Sequence, residues 1–252
     1  MRKTIAMIVC NEGLFIERNL RNHYALADKI IIVEGAVEKY AEVIGGYTST
    51  DRTVEVIETF PDPAKKITLV KPTRPWKSKI EMQNEFCDRA EDGILLKIDA
   101  DEFYHPEDVE KMYKAYEDDI ELDLIFPYWH HFWGDMDHVI TGRRWDVPHC
   151  KIWRFRPGYR YETTHNRMSR GGREIGRQTG KVIRIEGLYC YHYGYLKPPE
   201  WNEKKFEFYK KRCEAGTGEW FGQNDDGGHI QKFRGNHPSI MEGVFDGTET
   251  IF

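Results

Sequence analysis

Apolar and polar positions follow two rhythms along this chain, and the change between them falls near its middle. Over the first 110 residues, short runs rich in Ile, Leu and Val at 4–10, 29–34, 67–70 and 93–98 predict buried strands. Amphipathic stretches between them predict helices: one from Asn11-Glu12 to about residue 27, one at 53–59, one at 76–91, and one at 107–119 opened by Pro106. Asp51 stands where it can cap the second of these. Residues 35–49, with Gly45-Gly46 among them, predict an irregular connection. Strands alternating with helices imply an α/β fold with a mainly parallel central sheet flanked by helices. Such sheets bind ligands at the carboxyl ends of their strands.

Beyond about residue 124 the helices drop out. Strands are expected at 124–132, 151–155 and 181–186, then a basic helix at 201–212, then a Gly-, Asn- and Asp-rich tail wrapped on the surface. The chain therefore divides into an α/β half, 1–125, and an irregular half, 126–252, within a single domain. At 252 residues and 40% hydrophobic, it is long enough for a sizeable core. No apolar run approaches the roughly 20 residues that span a bilayer. The first ten residues are too short for a secretory leader. Five cysteines, odd in number and without a CxxC pair, argue against a disulfide framework or a zinc site, so a reducing cytoplasm is expected.

Charge sharpens the picture. Residues 85–123 carry 15 acidic and 4 basic side chains, whereas residues 143–184 carry 12 basic and 3 acidic. Solvated faces explain such blocks; so does an acidic, cation-binding region facing a basic one that meets phosphate. Ile98-Asp99-Ala100-Asp101 closes the fourth strand. Two carboxylates two residues apart on an extended chain point the same way and can share a hard cation such as Mg²⁺ or Mn²⁺.

These residues also carry a resemblance. The order I-A-M-I-V-C-N-E, I-I-I-V-E, S-T-D-R-T and L-L-K-I-D-A-D-E resembles glycosyltransferase family 2, which has the GT-A fold. Lys151 to Arg156, Tyr159 to Asn166 and Cys190 to Tyr195 resemble a branch of that family with a C-terminal His-Tyr-Gly segment. The resemblance spans roughly residues 4 to 212. It implies a nucleotide-sugar donor, a UDP-sugar foremost, held by Asn11, Glu12, Glu34 and Asp51. Asp99, Asp101 and His192 would hold Mn²⁺ or Mg²⁺ on the donor's diphosphate, and Lys77 and Lys79 could reach it. On this reading 1–125 is the donor half and 126–252 the acceptor half. The acceptor stays open among glycan, protein, lipid and modified nucleic acid.

Two departures stand out. The family's second strand ends Asp-Asp-Gly-Ser, whereas here Glu34-Gly35-Ala36 is followed by an insertion before Ser49. The family's His-Glu pair is His165-Asn166, and Asn is no general base. Glu162, His165, Asp135 and Asp137 are the substitutes, with Asp101, Glu162 and His165 expected to carry catalysis. The cluster of His130, His131, Asp135, Asp137 and His138 matches no zinc spacing and is expected to line the acceptor pocket, where Trp129, Trp133 and Trp145 either stack on sugars or fill core. The basic stretch through Arg167, Arg170, Arg173 and Arg177 could meet a phosphorylated or nucleic-acid acceptor. Two other classes share some of these features: a sugar nucleotidyltransferase, and a non-catalytic glycan- or nucleic-acid-binding module.

Overall fold

The computed structural model describes residues 1–142, 145–146, 149–197 and 228–244. The helix expected at 201–212, and much of the tail, lie outside the described residues. Among the described residues, five α-helices and twelve strands follow one another as β1 (Arg2–Val9), α1 (Ile16–His23), β2 (Lys29–Glu34), α2 (Glu38–Ile44), α3 (Thr53–Thr59), β3 (Ile67–Val70), α4 (Lys79–Cys87), β4 (Gly93–Lys97), β5 (Glu102–Phe103), α5 (Pro106–Asp118), β6 (Leu122–Trp133), β7 (His138–Thr141), β8 (Ile152–Phe155), β9 (Ser169–Arg170), β10 (Arg173–Glu174), β11 (Lys181–Tyr195) and β12 (His229–Lys232).

One sheet runs β12-β7-β6-β8-β4-β1-β2-β3, with β11 beside β6 and β5. The first four predicted strands form its parallel part, β4-β1-β2-β3. Beyond β4 the neighbours turn antiparallel through β8, β6, β7 and β12, and only the β11–β6 pair is parallel there among the described residues. Alternation within each strand splits the core between the two faces. Ile5, Met7, Ile30, Ile32, Ile94 and Leu96 pack with residues of α1 and α5. Ala6, Ile31, Val33 and Leu95 pack with Met82 and Phe86 of α4 and with Trp153. A sheet covered on both faces needs such continuous apolar strands. Gly93 opens β4 at φ +154, where a Cβ would lie 2.2 Å from the Arg2 carbonyl oxygen; a side chain here would push the two central strands apart.

The irregular connection expected at 35–49 contains α2, whose C-terminus is closed by Gly45 in the left-handed conformation. The apolar pattern there is too thin to announce a helix. Helix α4 starts later than its pattern suggested, because the Ser78 hydroxyl accepts from the Glu81 N–H at 3.2 Å and fixes the first turn. The largest difference is β11. It continues well past residue 186, through the aromatic run to Tyr195, and pairs with β6 in parallel and with β5 antiparallel.

This arrangement suspends the Asp99–Glu102 turn between three elements. From α1, the fully buried Asn19 amide donates to the carbonyls of Asp99 at 3.2 Å, Ala100 at 3.1 Å and Glu102 at 2.8 Å. From β11, the Tyr193 N–H donates to the Asp101 carbonyl at 2.9 Å. From the residue before β8, the Lys151 ammonium reaches Glu102 at 2.7 Å. Replacing Asn19 with Ala removes the side-chain donor from the buried Ala100 and Glu102 carbonyls, while the Asp99 carbonyl keeps the Glu102 N–H, so Asn19→Ala is expected to lower unfolding free energy by about 2–3 kcal/mol in urea titrations. Unchanged stability would show that the turn does not depend on this amide.

Candidate active site

The strand that carries the acidic motif ends at Lys97, so Asp99 and Asp101 do not alternate along an extended chain. They occupy a turn, and each is taken up by a different lysine. Asp99 Oδ2 accepts from Lys151 at 3.2 Å and its side chain keeps 40% of its exposure. Asp101, with 6% of its side chain exposed, lies 3.3 Å from Lys197 and 3.8 Å from His192 Nε2. Burial opposes ionisation of Asp99, yet Lys151, Lys97 and Lys79 hold its carboxyl well below the usual carboxylate range. Burial likewise works against the Lys151 ammonium, but Asp99 and Glu102 raise it above the ordinary lysine range.

Lys197 went unnoticed in the sequence, where an isolated lysine before Pro198-Pro199 gives no signal. Its buried ammonium donates to both Glu12 carboxylate oxygens, at 2.8 and 2.7 Å, and so joins the end of β1 to Asp101. Burial lowers and the two carboxylates raise its pKa, with a net rise. The His-Tyr-Gly segment also acquires a physical reason. Position 194 lies so close to the site that a Cβ there would sit 2.6 Å from both Asp101 Oδ2 and His192 Nε2.

The residues expected to hold a donor come together, but largely on one another. Glu34 Oε1 accepts from the Ser49 N–H at 2.5 Å, while its Oε2 is buried without a hydrogen-bond partner. The N-cap of α3 is Arg52 and not Asp51; Asp51, one residue earlier, accepts from the Thr53 N–H and from the Gly13 N–H, at 2.9 Å in each case. Asn11, at φ +57, accepts from the Thr50 N–H at 2.7 Å. Glu34, Asp51 and Asn11 thus lock the loop after β1 to the insertion before α3. Lys77 is exposed at the α4 entrance, and Lys79 is the lysine whose charge acts on Asp99.

The histidine cluster divides. His130 and His131 point to opposite faces of β6, as neighbours on a strand must. His130 stacks on Tyr189 with centroids 4.1 Å apart. His131 turns inward, with its Nδ1 3.1 Å from His192 Nδ1 and its Nε2 buried without a hydrogen-bond partner. Asp135 binds His138 at 2.8 Å in an exposed turn away from this pair. Trp129 stacks on His131 and meets His149 edge-on at 4.8 Å, forming the wall between the histidines and Lys151. The four described cysteines are free.

Beyond that wall opens a cavity of about 600 Å³, lined by His149, Thr163, Thr164, Arg167, Glu174 and Arg177 among others. Glu162 is exposed outside this lining, and the His165 carbonyl is tied to Gln83 at 2.9 Å. Glu174, not singled out from the sequence, is the carboxylate that faces the cavity. Only its closeness in sequence to the basic stretch could have suggested it.

A model of glycosyl transferase family 2 matches residues 4–168, the stretch that contains β1 to β8 and the acidic turn. The chain belongs to glycosyl transferase family 2. No functionally curated protein matches the sequence. Among solved structures it is similar to the mannosyltransferase PcManGT of Pyrobaculum calidifontis in complex with GDP-Man and Mn²⁺, at 14% identity and TM-score 0.47 over 86% of this chain and 66% of that one. It is also similar to S. aureus TarS 1–349, at 14% identity and TM-score 0.48 over 85% and 66%. Glucosyl-3-phosphoglycerate synthase from Mycobacterium tuberculosis, with Mn²⁺, UDP and glucosyl-3-phosphoglycerate, follows at 18% and TM-score 0.38 over 51% and 44%. The family 2 chain thus spans from 44% to 66% of the length of these three proteins. Among the described residues, no helix is long and apolar enough to cross a membrane.

The donor set was tested against a divalent cation. Among the described residues, no three His, Cys, Asp or Glu side chains are arranged to hold one. Asp101 Oδ1 and His192 Nε2 lie 3.8 Å apart, wider than the roughly 3 Å between neighbouring ligands about 2.1 Å from one octahedral ion, so the pair would have to close on an incoming cation. Burial first, then the neighbouring His192 and His149, hold His131 well below its ordinary pKa.

Burial first, then Lys151, Lys97 and His192, lower the His149 pKa to about 4. An unfolded histidine takes a proton near pH 6.5. Between pH 6.5 and 4 the unfolded chain therefore binds more protons, and stability falls as acid is added through that window. His149→Phe is expected to remove on the order of 1–2 kcal/mol of the stability difference between pH 6.5 and 5. Urea titrations at the two pH values measure this, and an undiminished difference in the variant would mean that His149 is not held neutral.

Proposed function

We propose that this family 2 protein moves a sugar from a nucleotide-diphosphate sugar, a UDP-sugar foremost, to an acceptor hydroxyl. The convergence of the buried Asp101 carboxylate and the His192 imidazole at the carboxyl end of β4 carries this reading. Asp101 and His192 would hold Mn²⁺ or Mg²⁺, whereas Asp99, drawn to Lys151, is not arranged with them as a third ligand. When bound, the cation would supply positive charge to the leaving diphosphate, where negative charge grows as the glycosidic bond breaks.

The chain's own residues do the rest. Lys151 and Lys197 neutralise the carboxylates of the turn and keep them in place before any donor arrives. Gly194 leaves Asp101 and His192 the room to meet. The nucleoside would sit against the loop locked by Asn11, Glu34 and Asp51. The acceptor would enter from the cavity beyond Trp129 and His149. Glu174 replaces Glu162 in this reading as the group that takes the acceptor's proton, because it faces that cavity. The new C–O bond would form as the bond to the diphosphate breaks.

Asp101→Asn, which keeps the size of the side chain, is expected to reduce Mn²⁺-dependent hydrolysis or transfer of UDP-sugars by roughly 10²–10³-fold. Circular dichroism should show the fold retained. Gly194→Ala is expected to weaken activation by Mn²⁺ by displacing the same pair. Full turnover in excess EDTA, or an unaffected Asp101→Asn enzyme, would remove the cation from the reaction.

A further inference from the structure

We propose that the cavity beyond His149 is a binding site for a small polyhydroxy acceptor that carries an oxyanion, a phosphate monoester or a carboxylate, gripped by Arg167 and Arg177. This rests on the glycosyl-transfer reading above and specifies its acceptor. Three observations carry it.

First, Arg167 lines the cavity and its Nη1 is buried without a hydrogen-bond partner. A buried guanidinium N–H left unpaired is costly, and a planar oxyanion is the group that satisfies it with two parallel bonds. Second, positive charge exceeds negative charge there. Glu174 accepts from Thr163 at 2.7 Å and lies 3.6 Å from Arg177, so one carboxylate offsets only one of the two arginines. The surplus favours an anion. Third, the remaining lining suits hydroxyls. Thr163, Thr164 and Asn166 offer donors and acceptors, and His149 joins the cavity to the Trp129–His192 wall of the cation pair. About 600 Å³ admits a sugar-sized molecule and excludes a folded macromolecule.

The test uses the full chain saturated with UDP and Mn²⁺, so that an added anion cannot simply occupy the diphosphate position. Sorbitol 6-phosphate, gluconate and sorbitol, alike in hydroxyls and different in charge, are titrated calorimetrically. At least one of the two anions is expected to bind and sorbitol is not; the tighter anion identifies the preferred group. Arg167→Gln should weaken that binding at least tenfold with UDP affinity unchanged. The surface variant Arg177→Gln, which carries little folding risk, should weaken it several-fold. Equal binding of sorbitol, equal affinity in both variants, or no anion binding while UDP binds normally would overturn the proposal. Preference for an oligonucleotide over both small anions would overturn it as well. Failure of UDP itself to bind would instead strike the donor reading beneath it.

Discussion

The structure depends on the compensation of carboxylates crowded into one turn at the end of the central strand. Asp99, Asp101 and Glu102 lie within four residues, and two of them are buried. Such charges cannot be packed together without cations, because the loss of hydration exceeds what the interior returns. Two lysines provide the balance, Lys151 from the residue before β8 and Lys197 from just beyond β11. Both come from the second half of the chain. The α/β half therefore presents its acidic turn only because the later strands fold back against it. The carboxylates of the turn are thus held by lysines and backbone donors within the fold itself.

This also explains what could be read from the sequence and what could not. The four parallel strands, α3, α5 and their order were legible, because burial on both faces imposes runs of Ile, Leu and Val that few other structures require. The bond from the Thr53 N–H to Asp51 was legible because it is local, although the cap position itself falls on Arg52. The direction in which Asp99 and Asp101 point was not. The expectation of a shared face assumed that the strand continued through them, whereas β4 stops at Lys97, where the Asn19 amide and the Glu102 carboxylate take over the backbone. No pattern in the sequence pairs Asn19 with residues 80 or more positions away.

Distance along the chain similarly hid Lys197 and Glu174, whereas Arg167 was legible only as one of a basic stretch that could meet a phosphorylated or nucleic-acid acceptor. Each acts through partners separated from it by long loops or whole strands, and each stands among many charged residues with no special spacing. His192 and Gly194 were visible only through a family resemblance. The structure gives that segment its reason, since β11 sets His192 opposite Glu102 and leaves no room for a side chain at position 194. Function-bearing residues on a sheet rim are joined by register across strands, and register is what a linear pattern conveys least.

The same register separates the site into two chemically distinct rooms. On β6, consecutive residues must face opposite ways, so His131 turns toward His192 while Trp129, on the same face two positions earlier, stacks on it and shields Lys151. Trp129 and His149, in edge contact, stand between the His131–His192 pair and the arginine-lined cavity. An acceptor held by Arg167 would therefore reach the donor past these two rings, and the orphaned Arg167 N–H marks the end of the cavity where its anionic group would be fixed.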